Sequence, residues 1–236
     1  MPESCYRAAL AFGDREYSLS QLDNLTEGIS AALHRRGVRG GDRVALMSSN
    51  RPEFIAAVRA TWRLGAAVVL LSPAWKRTEV DHALALTGAA HAAGDHPVLA
   101  GAMPMLHLDE PRPPGRQCGA APQSPDADAL LVFSSGTTGM PKAVRHTHRS
   151  FGAAIRHWRD ALGMTSSDRM QVLTPASHIL GLLNIMTALD TGAWLRLHPR
   201  FDIDTMLNHI ESDRITIEMV VAPMALALAT HPGLER

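Results

Sequence analysis

Apolar positions along this chain follow two different periods, and the two alternate. In SQLDNLTEGISAALHRRG (residues 20–37), Leu22, Leu25, Ile29 and Leu33 fall three or four apart, the spacing of one helix face. Ser20 reads as the N-cap of that helix, and Asp23 lies near the positive end of its dipole. Arg35 and Arg36 occupy the last turn, and Gly37 ends it. RVALM at 43–47 then reads as a buried strand. The stretch 52–65 opens on Pro52 and closes on Gly65, the punctuation of a helix. AAVVLL at 66–71 predicts a second strand and 76–87 a further helix. The rhythm resumes later, with strands predicted over 130–134, 171–174, 193–197 and 216–221. Helices are predicted over 149–161, 178–189, 203–212 and 224–230.

Strands and helices that alternate through short connections predict an α/β fold of layered, mainly parallel sheets flanked by helices. One segment breaks the rhythm. DEPRPPGRQCGAAPQSPDAD (109–128) is rich in Pro and Gly and lacks apolar periodicity, so it reads as an exposed connection. It divides the chain into a sub-region over 1–108 and a second over 129–236, but neither flank obviously closes a sheet of its own.

Composition narrows the function. Lys plus Arg and Asp plus Glu are 23 each, so no basic footprint points to nucleic acid. No apolar stretch approaches the length of a membrane span, and MPESCYRAAL lacks the basic-then-apolar pattern of a secretory signal. Cys5 and Cys118 are far apart in sequence and suggest neither a disulfide framework nor a zinc site, which fits a cytoplasmic protein.

The strongest local signal is LLVFSSGTTGMPKAVRHTH (130–148). Leu130 to Phe133 read as a buried strand that delivers the next residues to the carboxyl end of a sheet, where α/β proteins gather ligands. Ser134, Ser135, Thr137 and Thr138 supply hydroxyls, and Gly136 and Gly139 let backbone N–H groups approach an anion. Pro141 stiffens the exit, and Lys142 adds a cation within reach of a phosphate. Met140 and Pro141 stand between Gly139 and Lys142, so this is not the common Gly-Lys-Ser/Thr nucleotide loop. The bland alternative is a Gly/Thr turn between two strands.

FSSGTTGMPKAV is similar to the phosphate-loop signature of the adenylate-forming superfamily, which includes acyl-CoA synthetases, aryl-CoA ligases, luciferases and peptide-synthetase adenylation domains. The likeness extends along the chain. GDRVAL, the Asn-x-Pro-Glu-Phe helix at 50–54 and the Gly-Ala strand after it resemble the family's opening. PASHILGL (175–182) and the segment from Phe201 resemble later motifs. The resemblance implies that Ser134, Ser135, Gly136, Thr137, Thr138, Gly139 and Lys142 wrap ATP phosphates. It implies Mg2+ at Thr137, whose hydroxyl suits a hard cation. Lys142 would offset charge as pyrophosphate departs. His178 would line the pocket for the carboxylic acid, with capping or packing of a helix as its alternative role.

Other residues invite plainer readings. His146 and His148 have no obvious further metal ligands nearby in sequence, and His148 is expected to pack the strand-to-helix turn. Leu182, Leu183, Met186 and Leu189 read as core, as does the apolar face of 224–228. TPASHILGLLN carries no Asp or Glu to pair an ammonium group, which favours a fatty or aromatic acid over an amino acid.

The sequence departs from the family in places. Ala143 replaces a usual Gly. Ala176 and Ser177 stand where many relatives carry bulkier side chains, which alters the acyl pocket. The Tyr-Gly-x-Thr-Glu and Thr-Gly-Asp motifs and the small C-terminal domain with its catalytic Lys are absent from these 236 residues. The expectation is therefore the N-terminal portion of an acyl-CoA synthetase-like enzyme using ATP, Mg2+ and CoA, inactive by itself. Self-association or pairing with the missing C-terminal half would cover exposed apolar surface. The alternatives are a degenerate or split-gene product that only binds ligand or a partner chain, and a stand-alone phosphate-loop hydrolase.

Overall fold

The structure, a computed structural model, describes residues 8–110, 124–134 and 139–232. Cys5, Cys118 and most of the 109–128 connection lie outside the described residues. Two mixed sheets carry the fold. The first is built on β3 (Arg43–Met47), β4 (Ala67–Leu70), β5 (His91–Gly94), β6 (Leu106–His107), β7 (Asp128–Ser134) and β8 (Lys142–Thr147). Its order is β6-β5-β3-β4-β7-β8, parallel throughout except for the antiparallel β7–β8 pair. The second joins β1 (Ala8–Phe12) and β2 (Arg15–Ser18) to β9 (Arg169–Val172), β10 (Trp194–Leu197) and β11 (Ile217–Glu218). Its order is β11-β9-β10-β1-β2, with only β1–β2 antiparallel. Each sheet thus takes strands from both sides of the 109–128 connection.

Alternation along the central strands explains the layers. Val44, Leu46, Val68 and Leu70 face a core that also contains Leu10, Met170, Val172 and Leu195 of the second sheet. The helices α1 (Leu19–Arg35), α2 (Pro52–Arg63), α5 (His148–Leu162) and α6 (Ile179–Thr191) contribute Ile29, Phe54, Phe151 and Ile185 to that same core. The intervening Ala45, Met47 and Val69 face the other way and pack with Val80 of α3 (Arg77–Thr87) and Leu99 of α4 (Pro97–Ala102). With both faces covered, the inner strands lose the polar alternation of a half-exposed sheet, which is why RVALM and AAVVLL are so apolar. A third, small cluster of Leu173, Met206 and Met224 lies under α7 (Ile203–Ser212) and α8 (Ala222–Ala229).

Several sequence expectations need correction. The N-cap of α1 is Ser18, not Ser20: Ser18 and Gln21 form a reciprocal capping box. Ser20 instead shares a 2.8 Å hydroxyl contact with Ser18. The apolar face of 224–228 is not uniformly core, because Met224 is buried while Leu226 is 68% exposed. Leu182 and Met186 are buried as expected, with Leu183 and Leu189 packed against them.

Candidate functional site

The parallel strands β3, β4, β5 and β7 end on one edge of the first sheet, and the candidate site lies there. β7 ends at Ser134 and β8 begins at Lys142, and those two residues are register partners. β7 and β8 therefore pair as the two arms of an antiparallel hairpin, joined by the glycine-rich segment. Ser135, Gly136, Thr137 and Thr138 lie outside the described residues. At the exit, Gly139 has φ +91°, a conformation glycine adopts without side-chain strain. Ser134 and Lys142 are both exposed at the hairpin's neck.

Side chains from the segment after β4 hold that neck. The ring of Trp75 meets Phe133 edge-on with centroids 5.0 Å apart, fixing the residue before Ser134. On α3, His82 Nε2 lies 3.1 Å from the Pro141 carbonyl oxygen. A carbonyl only accepts, so His82 donates from Nε2. Entry and exit of the hairpin tip are thus braced from one neighbouring segment.

Beside the neck opens a cavity of about 410 Å3. Trp75, Phe133, Leu70, Leu180 and Val221 make its apolar wall, and Ser134, Pro141, Ser177 and His178 bring polar groups and the hairpin to its edge. Among the described residues that line it, none is acidic. His178 is the N-cap of α6: its Nδ1 accepts from the Leu180 N–H at 3.3 Å. His178 therefore caps α6 and also borders the cavity. The cap assigns the lone pair to Nδ1, so neutral His178 carries its proton on Nε2.

The turn that carries Ser177 and His178 is gripped from two directions. The buried side chain of Asn50 donates from Nδ2 to the Thr174 carbonyl at 3.0 Å, and its Oδ1 accepts from the Ala176 N–H at 2.6 Å. From the helix side, Gly181 presses so close that an added Cβ would stand 2.2 Å from the Pro175 carbonyl oxygen. Near Asn50, Arg51 binds Glu53 at 2.8 Å, Asp95 at 3.2 Å and Asp109 at 2.6 Å. Partial burial works against the Arg51 charge, but these carboxylates hold its pKa above the ordinary value.

His148 contacts Trp62 edge-on with centroids 5.9 Å apart, the packing role expected of it, and burial lowers its pKa. Among the described residues, no group of three or more His, Cys, Asp or Glu side chains is arranged to hold a metal ion. Trp75, His82 and Asn50 escaped the sequence reading because their contacts link segments distant in the chain. The only available signal was Asn50 itself, the first residue of the Asn-x-Pro-Glu-Phe pattern.

An apolar cavity beside a Ser/Thr/Gly hairpin, at the carboxyl ends of parallel strands, is the ligand-binding arrangement of an α/β protein. The family model described as AMP-binding enzyme matches residues 3–236, and the chain belongs to that family. It is 30% identical to 4-coumarate--CoA ligase 2 of Oryza sativa subsp. japonica, over 100% of this chain and 48% of that protein. It is also 30% identical to feruloyl-CoA synthase of Amycolatopsis sp, over 97% of this chain and 48% of the relative. Among solved structures, O-succinylbenzoate coenzyme A synthetase from Bacillus subtilis in complex with AMP superposes with a TM-score of 0.86 at 28% identity. That match covers 96% of this chain and 61% of the other. The same enzyme in complex with ATP and magnesium ion gives a TM-score of 0.86 at 27% identity, over 95% of this chain and 49% of the other. The chain spans about half the length of the curated relatives it matches, and it matches their N-terminal part. Among the described residues, no helix is long and apolar enough to cross a membrane.

Proposed function

We propose that this chain is the N-terminal portion of an acyl-CoA synthetase-like enzyme. The observation that carries this reading is the shared cavity: Ser134 and Pro141 of the hairpin and His178 of the α6 cap line one space. In the reaction, a carboxylate oxygen bonds to the α-phosphorus of ATP as the bond to pyrophosphate breaks. The thiol sulfur of CoA then bonds to the acyl carbon, AMP leaves, and the thiol proton passes to solvent.

Ser134, Ser135, Thr137, Thr138 and the backbone at Gly136 and Gly139 bind the phosphates in this scheme. Lys142 offsets the charge that builds on departing pyrophosphate. The hydroxyl-rich donor set suits Mg2+, which would sit at Thr137 and neutralise phosphate charge. His178 presents its Nε2–H toward the acid. The apolar wall without an acidic lining residue suits a fatty or aromatic acid, because an ammonium group there would lack a counter-charge.

With about half the relatives' length, residues 1–236 alone bind phosphate and an apolar acid without completing the reaction. Calorimetry with ATP or pyrophosphate tests the hairpin, and carboxylate-dependent exchange of labelled pyrophosphate into ATP tests the chemistry. Binding that weakens in Lys142→Ala, with no exchange, is the expected outcome. Robust exchange by residues 1–236 overturns the half-site reading, and phosphate binding indifferent to Lys142→Ala overturns the hairpin assignment.

A further inference from the structure

We propose that Asn50 is a positioning residue for the acid-binding side of this site, setting through the Thr174–Ala176 turn where Ser177 and His178 face the cavity. The proposal rests on the functional reading above for its consequence, but not for its geometry. Asn50 stands between β3 and α2 of the first sheet, whereas Thr174 and Ala176 follow β9 of the second. The two amide hydrogen bonds are therefore a direct polar link between the sheets' carboxyl-end loops, made across 124 and 126 residues of sequence.

His178 N–H donates to the Pro175 carbonyl at 2.9 Å, closing a tight turn whose central residues are Ala176 and Ser177. Ala176 is buried, and the Asn50 Oδ1 contact satisfies its N–H in place of water. Thr174 is also buried, and its carbonyl receives the other half of the same side-chain amide. On the opposite side Gly181 of α6 lies so near that a Cβ there would stand 2.2 Å from the Pro175 carbonyl oxygen. A turn held this way gives His178 one direction, and the cap at Leu180 gives its ring one tautomer. Loss of the Asn50 amide frees the turn and, with it, the register of the cap.

The amide is matched in both polarities, which makes Asn50→Asp, nearly the same shape but without the amide donor, a discriminating probe. Ionised Asp retains an acceptor for Ala176 but opposes the Thr174 carbonyl with negative charge.

The test uses the full chain labelled with 15N-histidine, with the His178 signals assigned by their loss in His178→Gln. In the wild type, neutral His178 should show two separate ring nitrogens, protonated Nε2 and unprotonated Nδ1. In Asn50→Ala, the two should move toward the averaged positions of a free imidazole. Asn50→Asp, which when ionised keeps the acceptor for Ala176 and loses the donor to Thr174, should do the same near neutral pH. Leu22→Ala, a core truncation on α1, should lower the melting temperature and leave the His178 pattern in place. If Asn50→Ala fails to fold, Asn50→Asp carries the same test. A His178 pattern unchanged in the folded Asn50 variants, or changed equally by Leu22→Ala, overturns the proposal. Binding of 4-coumarate, measured separately, should fall at least fivefold in Asn50→Ala. An altered His178 pattern without 4-coumarate binding even in the wild type would leave the positioning role standing and count against the acid-binding reading.

Discussion

His82 Nε2 and the carbonyl oxygen of Pro141 lie 3.1 Å apart, tying α3 to the exit of the glycine-rich hairpin. Pro141 restricts its own φ but cannot fix where the hairpin tip stands relative to the sheet. His82 supplies that restraint. Loss of one such hydrogen bond is worth roughly 0.5–1.5 kcal/mol, or about 2- to 10-fold in an equilibrium. His82→Leu should therefore weaken pyrophosphate binding by that factor, read by calorimetry, and His82→Gln should recover part of it. Equal affinities in all three proteins would show that the exit needs no brace.

The contact of Gly181 with Pro175 predicts a contrast between two helical glycines. In α6, Gly181→Ala forces a methyl against the Pro175 and Thr174 carbonyl oxygens, 2.2 and 3.0 Å from the ideal Cβ. Backbone oxygens cannot rotate aside, so the substitution should cost about 1–3 kcal/mol or more, the range for overpacking. In α5, an added Cβ at Gly152 meets only the end of the flexible Arg156 side chain at 3.6 Å. Gly152→Ala should stabilise by about 0.5–1 kcal/mol through helix propensity. Urea midpoints that move in opposite directions are the expected result.

The sequence displayed the buried strands and long helices because their periods are set by local packing. Arg43–Met47 and Ile203–Ser212 coincide with the predicted ranges. It did not display β5, whose four residues HAAG contain no alternation of large apolar and polar side chains. β8 it displayed only as a strand of undefined range before His148, because the KAVRHT pattern of this edge strand is mostly polar. The candidate chemistry of this segment could be read off the sequence since its hydroxyls, glycines and lysine all fall between Ser134 and Lys142. The neck's supports were not, since Trp75 and His82 reach Phe133 and Pro141 across 58 and 59 residues. α8 misled for a different reason. APMALALA is apolar all round, and a sequence cannot say which side of such a helix is covered.

Half-buried Glu218 on β11 and buried His198, the residue after β10, should shape stability against pH in opposite senses. Burial pushes the Glu218 carboxyl up to about 7 from 4.5, with the Gln171 side chain and the Met219 N–H offsetting part of that effect. Burial, with His209 and Arg196 nearby, pushes His198 down to about 4 from 6.5, against the opposite pull of Asp213 and Asp202. The native state retains the Glu218 proton where the unfolded chain has lost it. Its contribution is thus full below pH 4.5 and is lost as pH rises to about 7. The native state keeps His198 neutral where the unfolded chain is charged, so that contribution is full above pH 6.5 and is lost as pH falls to about 4. Between pH 4.5 and 6.5 the two slopes oppose each other. Glu218→Gln should unmask a stability that rises with pH across this window, by up to about 1.4 kcal/mol per pH unit. His198→Gln should unmask a fall. Urea unfolding at half-unit pH steps reads both, and identical profiles for the wild type and both variants would refute the assignment.

Ser177 provides the sharpest test of which end of the cavity takes the acid. It lines the same space as His178 and Trp75, on the turn that Asn50 holds. A small hydroxymethyl group here leaves open a volume that the resemblance fills with bulkier side chains in many relatives. Ser177→Phe should project an aromatic ring from that turn into the cavity of about 410 Å3, without touching the hairpin's hydroxyls or Lys142. Binding of 4-coumarate should weaken about tenfold or more, equivalent to about 1.4 kcal/mol. Pyrophosphate binding should stay within about twofold of the wild type, because the proposed phosphate-binding residues lie in the hairpin and not in the apolar wall. Ser177→Ala separates size from hydrogen bonding: it keeps the space and removes only the hydroxyl, and it should bind 4-coumarate nearly as the wild type does. Calorimetry with each ligand on the three proteins makes the comparison. If Ser177→Phe weakened pyrophosphate as much as 4-coumarate, the ring would be disturbing the whole site. If it weakened neither, the acid would lie elsewhere, and the placement of the acyl pocket against the α6 cap would be wrong.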